Sequence, residues 1–338
     1  MKKILQGDAL AELKKLPSDS VDCCITSPPY YQLRDYGVAG QIGLEATVGE
    51  YIEKLVEVFR EVRRVLKPDG TLWVNIADSY AGSGKGSHEK QETRERHKQN
   101  TSKGWYVNGV PPTTAENVKP KDMIGVPWLL ALALRADGWY LRQDIIWEKP
   151  NCMPESVRDR CTKAHEYVFL LSKSRRYYFD GEAIKEPCVG FDKSQPRGSK
   201  GSSRENAGRR KGNRRTFRGG GAYTRGQSFN NDAPTSAESH GNAPNETGLR
   251  RKRSVWHVST TGSKETHYAT FPTKLVEPCI LAGSRSGGVV LDPFAGSGTV
   301  GVVAKSLGRG YALIELKSEY AEICRKRLNE EDEQECKN

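Results

Sequence analysis

The chain has 338 residues, and its 53 Lys and Arg against 42 Asp and Glu give a formal net charge of +11 at pH 7. This length allows a large hydrophobic core in one or two domains. There is no apolar run long enough to cross a membrane and no signal-peptide pattern, so a membrane or secreted protein is not expected and a cytoplasmic one is.

The cysteines indicate a reduced protein without a metal site. None of the eight forms a Cys-x-x-Cys pair, and no histidine-rich cluster completes a zinc-binding set. Several lie within apolar runs, where a reduced core cysteine is the usual role. We therefore expect no metal.

Apolar segments alternate between strand and helix character along the whole chain. The predicted strands, in chain order, are 3–8, 20–25, 71–76, 140–147, 165–171, 289–291 and 309–315. Between and after them, helical spacing of apolar residues predicts helices near 10–16, 50–66, 124–136, 300–307 and 319–328. Strands that alternate with helices predict an α/β fold with a mainly parallel sheet and helices on both faces.

Two polar segments interrupt this pattern. Residues 81–121 are polar and carry charges of both signs, as in a long loop or insertion. The segment 190–253 is rich in Gly and Arg, and from 193 to 253 its 15 Lys and Arg against four acidic residues account for the entire charge excess. A phosphate backbone is one natural partner of such a segment, and a solvated basic loop without a specific partner is the alternative. These breaks divide the chain into 1–189, 190–253, 254–329 and a charged tail, 330–338, which we expect to fray.

A glycine turn follows the predicted strand near the C-terminus. The run Val289-Val290-Leu291-Asp292-Pro293-Phe294-Ala295-Gly296-Ser297-Gly298-Thr299 opens as a buried strand and leads into a helix. A strand, a glycine turn and a helix N-terminus together favour a bound cofactor, although a plain turn has the same outline. The third glycine of the dinucleotide-binding fingerprint is absent.

Acidic residues end three of the predicted strands: Asp8, Asp292 and Glu315. An acid at the end of the strand after a glycine turn commonly bonds the hydroxyls of a ribose, and Glu315 fits that role. Each acid taken alone is more readily explained as a surface carboxylate at a strand end. Together, at the carboxyl ends of one parallel sheet, they favour a cofactor with a ribose.

A second motif ends the strand 20–25, where Thr26-Ser27-Pro28-Pro29-Tyr30 follows directly. Two consecutive prolines fix an extended turn and remove two N–H donors while their carbonyls remain acceptors. This motif and Leu291–Thr299 both resemble signatures of the DNA amino-methyltransferases, the first being similar to the catalytic motif and the second to the cofactor motif. Their order, with the catalytic motif first, resembles the beta subgroup of that family.

The resemblance implies a circularly permuted Rossmann-like fold, with a seven-stranded sheet that has one antiparallel edge strand and with 190–253 as a target-recognition insertion. It also implies S-adenosyl-L-methionine as cofactor and duplex DNA as partner, together with a possible cognate restriction endonuclease. The strand ending at Asp8 would lie beside the one ending at Glu315. The implied catalytic residues are Ser27, Pro28, Pro29 and Tyr30. The implied cofactor-binding residues are Asp8, Phe271, Thr273, Lys274, Asp292, Pro293, Phe294, Ala295, Gly296, Ser297, Gly298, Thr299 and Glu315. The implied DNA-binding residues are Arg209, Arg210, Lys211, Arg214, Arg215 and Arg218.

Ser27 is the only residue that indicates which base is methylated. Cytosine-N4 enzymes of the family usually begin the catalytic motif with Ser, and adenine-N6 enzymes usually with Asp or Asn, which favours cytosine and leaves adenine as the alternative. Two further hypotheses stay open from the residues themselves: a DNA-binding protein with a degenerate cofactor site, and an RNA or protein methyltransferase of the same fold. The sequence does not give the recognition site, and monomer and homodimer remain alternatives.

Overall fold

The computed structural model of the protein describes residues 1–33, 35–81, 118–119, 121–188, 248–260 and 272–335, with side chains up to residue 329. The helices are α1 (Ala9–Lys14), α2 (Val48–Val65), α3 (Val126–Ala136), α4 (Thr273–Gly283), α5 (Thr299–Ser306) and α6 (Ser318–Glu335). The strands are β1 (Lys2–Gln6), β2 (Val21–Thr26), β3 (Leu66–Ile76), β4 (Tyr140–Glu148), β5 (His165–Ser172), β6 (Glu186–Pro187), β7 (Leu249–Arg250), β8 (Val255–His257), β9 (Val289–Asp292) and β10 (Gly310–Glu315).

Eight strands form the main sheet in the order β1-β10-β9-β2-β3-β5-β4-β8. Pairing is parallel except at β5, which is antiparallel to both of its neighbours, β3 and β4. The predicted α/β class and mainly parallel sheet are confirmed. The strand count of seven is wrong because the three-residue strand β8 extends the sheet beyond β4, and the antiparallel strand lies inside the sheet rather than at its edge.

Both faces of the central strands β2, β3, β9 and β10 are buried, as expected for parallel strands with helices above and below. Successive residues point to opposite faces, so Cys24 and Leu72 belong to the core that contains α1, α2 and α3, while Cys23 and Trp73 belong to the core that contains α4, α5 and α6. This alternation explains why the central strands read as continuous apolar runs in the sequence.

The ends of two helices differ from the prediction in an instructive way. Helix α2 begins at Val48 because Thr47 and Glu50 form a capping box, each side chain accepting the other's backbone N–H at 3.2–3.3 Å. Helix α6 continues to Glu335, so the fraying predicted after Asn329 is wrong for 330–335. That extension is rich in Glu, which favours helices even without an apolar face.

The predicted meeting of the first and last strands is confirmed. Strands β1 and β10 pair in parallel, with Gln6 opposite Glu315, and the Tyr311 N–H donates to the Met1 carbonyl at 2.8 Å. The first and the last strand of the chain thus lie together at one edge of the sheet, which is the geometry of a circular permutation.

The described residues form two compact units: Met1–Ile184 together with Arg253–Asn338, and Lys185–Lys252. In the second unit, β6 and β7 pair antiparallel, and Arg250 Nε donates to Glu186 Oε1 at 2.9 Å. The sequence-based boundaries at 189/190 and 253/254 stay predictions. None of the described helices is long and apolar enough to span a membrane.

Candidate active site

The two motifs meet at the point in the sheet where the strand order reverses. Strands β9 and β2 are parallel neighbours, with Cys24 opposite Leu291. On one side of this pair lie β10 and β1, and on the other lies β3. Open α/β sheets bind ligands at such a switch point, outside the carboxyl ends of the strands.

A single hydrogen bond joins the motifs across the switch point. The Thr26 hydroxyl, one residue before Ser27, donates to Asp292 Oδ1 at 2.7 Å, although the residues are 266 positions apart in the chain. The same carboxylate oxygen accepts the Phe294 N–H at 3.1 Å. Asp292 is 4% exposed, and burial raises its pKa to about 7, opposed by these two hydrogen bonds. Asp292 therefore fixes the start of the glycine turn relative to Ser27-Pro28-Pro29-Tyr30, the predicted catalytic turn.

The two glycines of the turn have different roles. Gly298 precedes α5 with a φ of +77°, and a Cβ there would lie 2.9 Å from Cys324 Sγ, so the close approach of α6 requires glycine. Gly296 has a φ of +53°, and a Cβ there would enter open space. Gly296 lines the cavity described below, and Gly298 is not among the residues that line it.

Helix α6 holds the glycine turn from behind. Arg327 Nη1 donates to the Ser297 carbonyl at 2.6 Å and lies 3.0 Å from Ser297 Oγ, and Cys324 Sγ donates to the Gly296 carbonyl at 3.1 Å. These carbonyls follow a strand and have no helix of their own to join, so the contacts from α6 satisfy them. Neither Cys324 nor Arg327 belongs to a predicted site motif.

The other two strand-end acids also face the switch point. Glu315 is 9% exposed, and its two carboxylate oxygens accept the Gly296 N–H at 2.8 Å and the Lys317 N–H at 2.9 Å. Burial raises the pKa of Glu315, and these backbone hydrogen bonds oppose that rise. Asp8 is exposed and caps α1 by accepting the Ala11 N–H at 2.9 Å. Each carboxylate keeps lone pairs for a ligand.

The catalytic turn is held by the buried side of α2. The Tyr51 hydroxyl, fully buried, donates to the Pro29 carbonyl at 2.7 Å. Among the described residues, none donates a hydrogen bond to the Pro28 carbonyl. Ser27 Oγ lies 3.4 Å from the Tyr30 hydroxyl. The turn therefore contributes a serine oxygen and a carbonyl that has no donor among the described residues, and both Ser27 and Pro28 line the cavity described below.

A buried polar network supports Tyr30. Its hydroxyl donates to Glu166 Oε2 at 2.6 Å and lies 3.1 Å from Asn75 Oδ1. Asn75 Nδ2 donates to the same Glu166 oxygen at 3.0 Å, and Lys149 forms an ion pair with the other oxygen. Burial, followed by the charge of Glu166, raises the pKa of Tyr30 well above its ordinary value. Sequence analysis assigned no role to Asn75 or Glu166.

One cavity of about 280 Å³ brings most of these groups together. The predicted site residues that line it are Asp8, Ser27, Pro28, Pro29, Tyr30, Asp292, Pro293, Phe294, Ala295, Gly296, Ser297, Thr299 and Glu315. The lining residues outside the predicted site also include Leu33, Tyr36, Val38, Gln41, Ile42, Asn75, Glu166, Lys317 and Tyr320. The cavity thus runs from the strand-end acids to the catalytic turn and its network.

Some predicted site residues are not part of this cavity. Thr273 and Lys274 are exposed on the first turn of α4 and do not line it. Phe271 lies outside the described residues, as do the six predicted DNA-binding residues Arg209, Arg210, Lys211, Arg214, Arg215 and Arg218. No cluster of three or more His, Cys, Asp or Glu suited to a metal occurs among the described residues.

A Rossmann-like sheet with one cavity across its switch point, acids at the strand ends and a Ser-Pro-Pro-Tyr turn defines an α/β protein built for a nucleoside-type cofactor. Comparison with known proteins narrows this class. The chain belongs to the DNA methylase family, whose model of N6- and N4-methyltransferases matches residues 21–326.

Two type II methyltransferases are similar to this chain over most of their length. The type II methyltransferase M.SmaI of Serratia marcescens is 44% identical, over 96% of this chain and 90% of its own. The type II methyltransferase M.Cfr9I of Citrobacter freundii is 43% identical, over 97% of this chain and 88% of its own.

Solved structures share the fold at low sequence identity. The PvuII DNA methyltransferase (cytosine-N4-specific) is 18% identical with a TM-score of 0.58, and the match covers 96% of this chain and 86% of that one. A protein of Thermus thermophilus, solved in complex with S-adenosyl-L-methionine, is 20% identical with a TM-score of 0.55, over 98% and 94% of the two chains.

Proposed function

We propose that the chain transfers a methyl group from S-adenosyl-L-methionine to the exocyclic amine of a flipped base in duplex DNA, and that this amine is N4 of cytosine. The observation that carries the proposal is the hydrogen bond from Thr26 to Asp292, because it sets the Ser-Pro-Pro-Tyr turn and the glycine turn in one cavity. The DNA methylase family and the type II methyltransferase relatives support the reaction class.

The residues of one end of the cavity fit this cofactor. Glu315 is held by two backbone N–H groups and keeps lone pairs for the ribose hydroxyls, and the exposed carboxylate of Asp8 suits the adenine side. The open space beside Gly296 leaves room for the methionine part to lie against the backbone, and Phe294 offers an apolar surface. When bound, S-adenosyl-L-methionine supplies an activated methyl group on a sulfonium, so the protein has to align the acceptor more than activate the donor.

The other end of the cavity fits a base amine. The lone pair of an exocyclic amine is delocalised into the ring, so acceptors at its two hydrogens favour the pyramidal nitrogen that reacts and relieve its positive charge. Ser27 Oγ and the Pro28 carbonyl supply two such acceptors, and the two prolines together with Tyr51 keep them fixed. The base must leave the duplex to reach them. The Tyr30 ring then stacks on it, which contributes roughly 1–3 kcal/mol by analogy with other base–aromatic contacts.

Ser27 supports cytosine over adenine because N4-cytosine enzymes of this family usually carry serine at this position. The family covers both bases, so N6 of adenine is the alternative outcome of the experiment below. The basic segment 190–253 supplies the phosphate contacts in this proposal and serves as the target-recognition region. The type II methyltransferase names of the relatives support a cognate restriction endonuclease with the same recognition site.

Isotope transfer tests the proposal. The protein is incubated with methyl-labelled S-adenosyl-L-methionine and DNA from a host that lacks methylases, and the DNA is digested to nucleosides. We expect the label in N4-methyl-2′-deoxycytidine, and a higher yield with duplex DNA than with RNA of the same sequence. Label in N6-methyl-2′-deoxyadenosine alone would overturn the choice of base, and no label in any nucleoside would overturn the function.

A further inference from the structure

The buried network behind the catalytic turn has a direction that follows from counting its hydrogens. An ionised carboxylate only accepts hydrogen bonds, so the single hydrogen of the Tyr30 hydroxyl points to Glu166, 2.6 Å away. Asn75 Oδ1, at 3.1 Å, is the other acceptor at this hydroxyl. With either acceptor, the hydrogen of Tyr30 is directed away from Ser27, and the tyrosine oxygen faces Ser27 as an acceptor.

The serine hydrogen is then the one available to the 3.4 Å contact between Ser27 Oγ and the Tyr30 hydroxyl. A serine that donates to tyrosine keeps both lone pairs of its oxygen for other donors. Ser27 and Pro28 both line the cavity, so in the proposed function these lone pairs and the Pro28 carbonyl receive the amine hydrogens. A serine without this partner would be free to turn its own hydrogen toward the amine.

We propose that Glu166 is a positioning residue, which acts through the Tyr30 hydroxyl to keep the Ser27 oxygen an acceptor for the base amine. This inference rests on the proposed function and adds a residue outside both motifs to it. The chain of hydrogen bonds runs from the amine to Ser27, then to Tyr30, then to Glu166. Each bond polarises the next, so the buried charge strengthens Ser27 as an acceptor without touching the base.

The surroundings of Glu166 suit this role. The carboxylate is 9% exposed, and the ammonium of Lys149, which also lies 4.4 Å from the centre of the Trp147 ring, compensates its burial. Asn75 Nδ2 donates to Glu166 and to the Tyr167 carbonyl, which turns the Asn75 oxygen toward Tyr30. Burial raises the pKa of Tyr30, so its hydroxyl keeps the hydrogen that this arrangement requires.

The substitution Glu166→Gln tests the charge at the end of the chain. The glutamine oxygen is expected to face the Lys149 ammonium, so its NH₂ group faces Tyr30 as a donor, and the Tyr30 hydrogen is left to the uncharged Asn75 Oδ1 at 3.1 Å. We expect kcat for methyl transfer to fall about ten- to hundredfold, the range lost with a hydrogen bond to a charged group. The dissociation constant of S-adenosyl-L-methionine should stay within about twofold, because Glu166 acts at the other end of the cavity.

A double-mutant cycle separates positioning from a general structural role. Tyr30→Phe keeps the ring and removes the hydroxyl, so it should lower kcat by a factor similar to that of Glu166→Gln and should remove the further effect of Glu166→Gln. Asp22→Asn is the control, because Asp22 is equally buried in the same sheet and pairs with Lys67 but does not line the cavity; its kcat should match that of the unsubstituted protein.

Both kcat in the steady state and the rate constant of methyl transfer in single turnovers are measured on unmethylated bacteriophage DNA. The melting temperature and the cofactor affinity are recorded for each variant. The inference would be overturned if Glu166→Gln lowered kcat by the same factor in the presence and in the absence of Tyr30→Phe. An unchanged kcat in Tyr30→Phe would also overturn it, even if Glu166→Gln failed to fold. Methylation of adenine by the unsubstituted protein would overturn the choice of cytosine, and the double-mutant cycle would still test Glu166 with adenine as the acceptor. No methyl transfer at all would overturn both proposals.

Discussion

Asp292 makes the stability of this protein depend on pH in a direction opposite to that of most carboxylates. Burial raises its pKa from 3.8 to about 7. Between these two pH values the folded protein holds a proton that the unfolded chain releases, so the free energy of unfolding falls as the pH rises. This contribution is fully present below the unfolded pKa and is lost as the pH passes through about 7.

The size of the effect follows from the same shift. Each pH unit within this range changes the free energy of unfolding by about 1.4 kcal/mol, so going from pH 5 to pH 7 should lower it by about 2–3 kcal/mol. The substitution Asp292→Asn removes the titration but keeps a side-chain oxygen for Thr26 and Phe294. The variant should therefore lose this part of the pH dependence. At pH 8 it should be more stable than the unsubstituted protein by up to about 4 kcal/mol.

Urea denaturation, followed by tryptophan fluorescence between pH 5 and pH 8, measures both quantities. Glu315, whose pKa burial also raises, contributes with the same sign and remains in the variant, so the difference between the two proteins reports Asp292. Identical pH dependence in Asp292→Asn and in the unsubstituted protein would refute the reasoning.

Three further predictions address the two ends of the cavity, the glycine turn and the basic segment. Ser27→Ala and Tyr30→Ala should lower turnover at least about tenfold while S-adenosyl-L-methionine still binds in calorimetry, whereas Asp292→Ala should abolish that binding; equal losses of affinity in all three would contradict this division. Gly298→Ala should lower the free energy of unfolding by about 2–4 kcal/mol, because a Cβ would both meet Cys324 and adopt a positive φ. Gly308 also has a positive φ, +70°, but a Cβ there would enter open space, so Gly308→Ala should lower the free energy of unfolding by only about 1–2 kcal/mol. Urea denaturation of both variants measures the difference. Glutamine in place of four arginines of the basic segment, Arg209, Arg210, Arg214 and Arg215, should weaken DNA binding and flatten its salt dependence in fluorescence anisotropy. An unchanged salt dependence would mean that the segment is a solvated loop.

The core of the fold could be predicted because its signals are local. The central strands are buried on both faces, so each appears in the sequence as an apolar run of the right length. Strand β8 gave no such signal, because it has three residues of which only Trp256 is buried. Its place beside β4 depends on pairing between distant segments, which no local pattern expresses.

The motifs of the site could be predicted because unusual residue combinations carry them. Glu166 could not, because an acid near the start of a strand looks like a surface carboxylate. Its role depends on β5 running antiparallel, which brings the start of that strand to the edge where β2, β3 and β9 end. An acid or amide at the start of an antiparallel strand within a parallel sheet is therefore a useful signal for such sites.

Two further groups of residues show that sequence spacing does not predict contacts between elements. Cys324 and Arg327 contact the glycine turn from α6, yet their three-residue spacing is that of any helix face. Thr273 and Lys274 belong to a run that resembles the family segment lining the methionine end of the cofactor. Both lie exposed on α4, which packs Leu275 and Val276 inward, and their part in cofactor binding stays a prediction.

The central claim is that one cavity aligns the methyl donor with the amine of a cytosine at Ser27. Single-molecule sequencing of DNA from a methylase-free host that expresses the chain tests it most directly, because it reports the modified base and its sequence context together. We predict N4-methylcytosine confined to one short recognition sequence, and its absence when the chain carries Ser27→Ala. Modified adenine alone, or undiminished N4-methylcytosine with Ser27→Ala, would contradict the account.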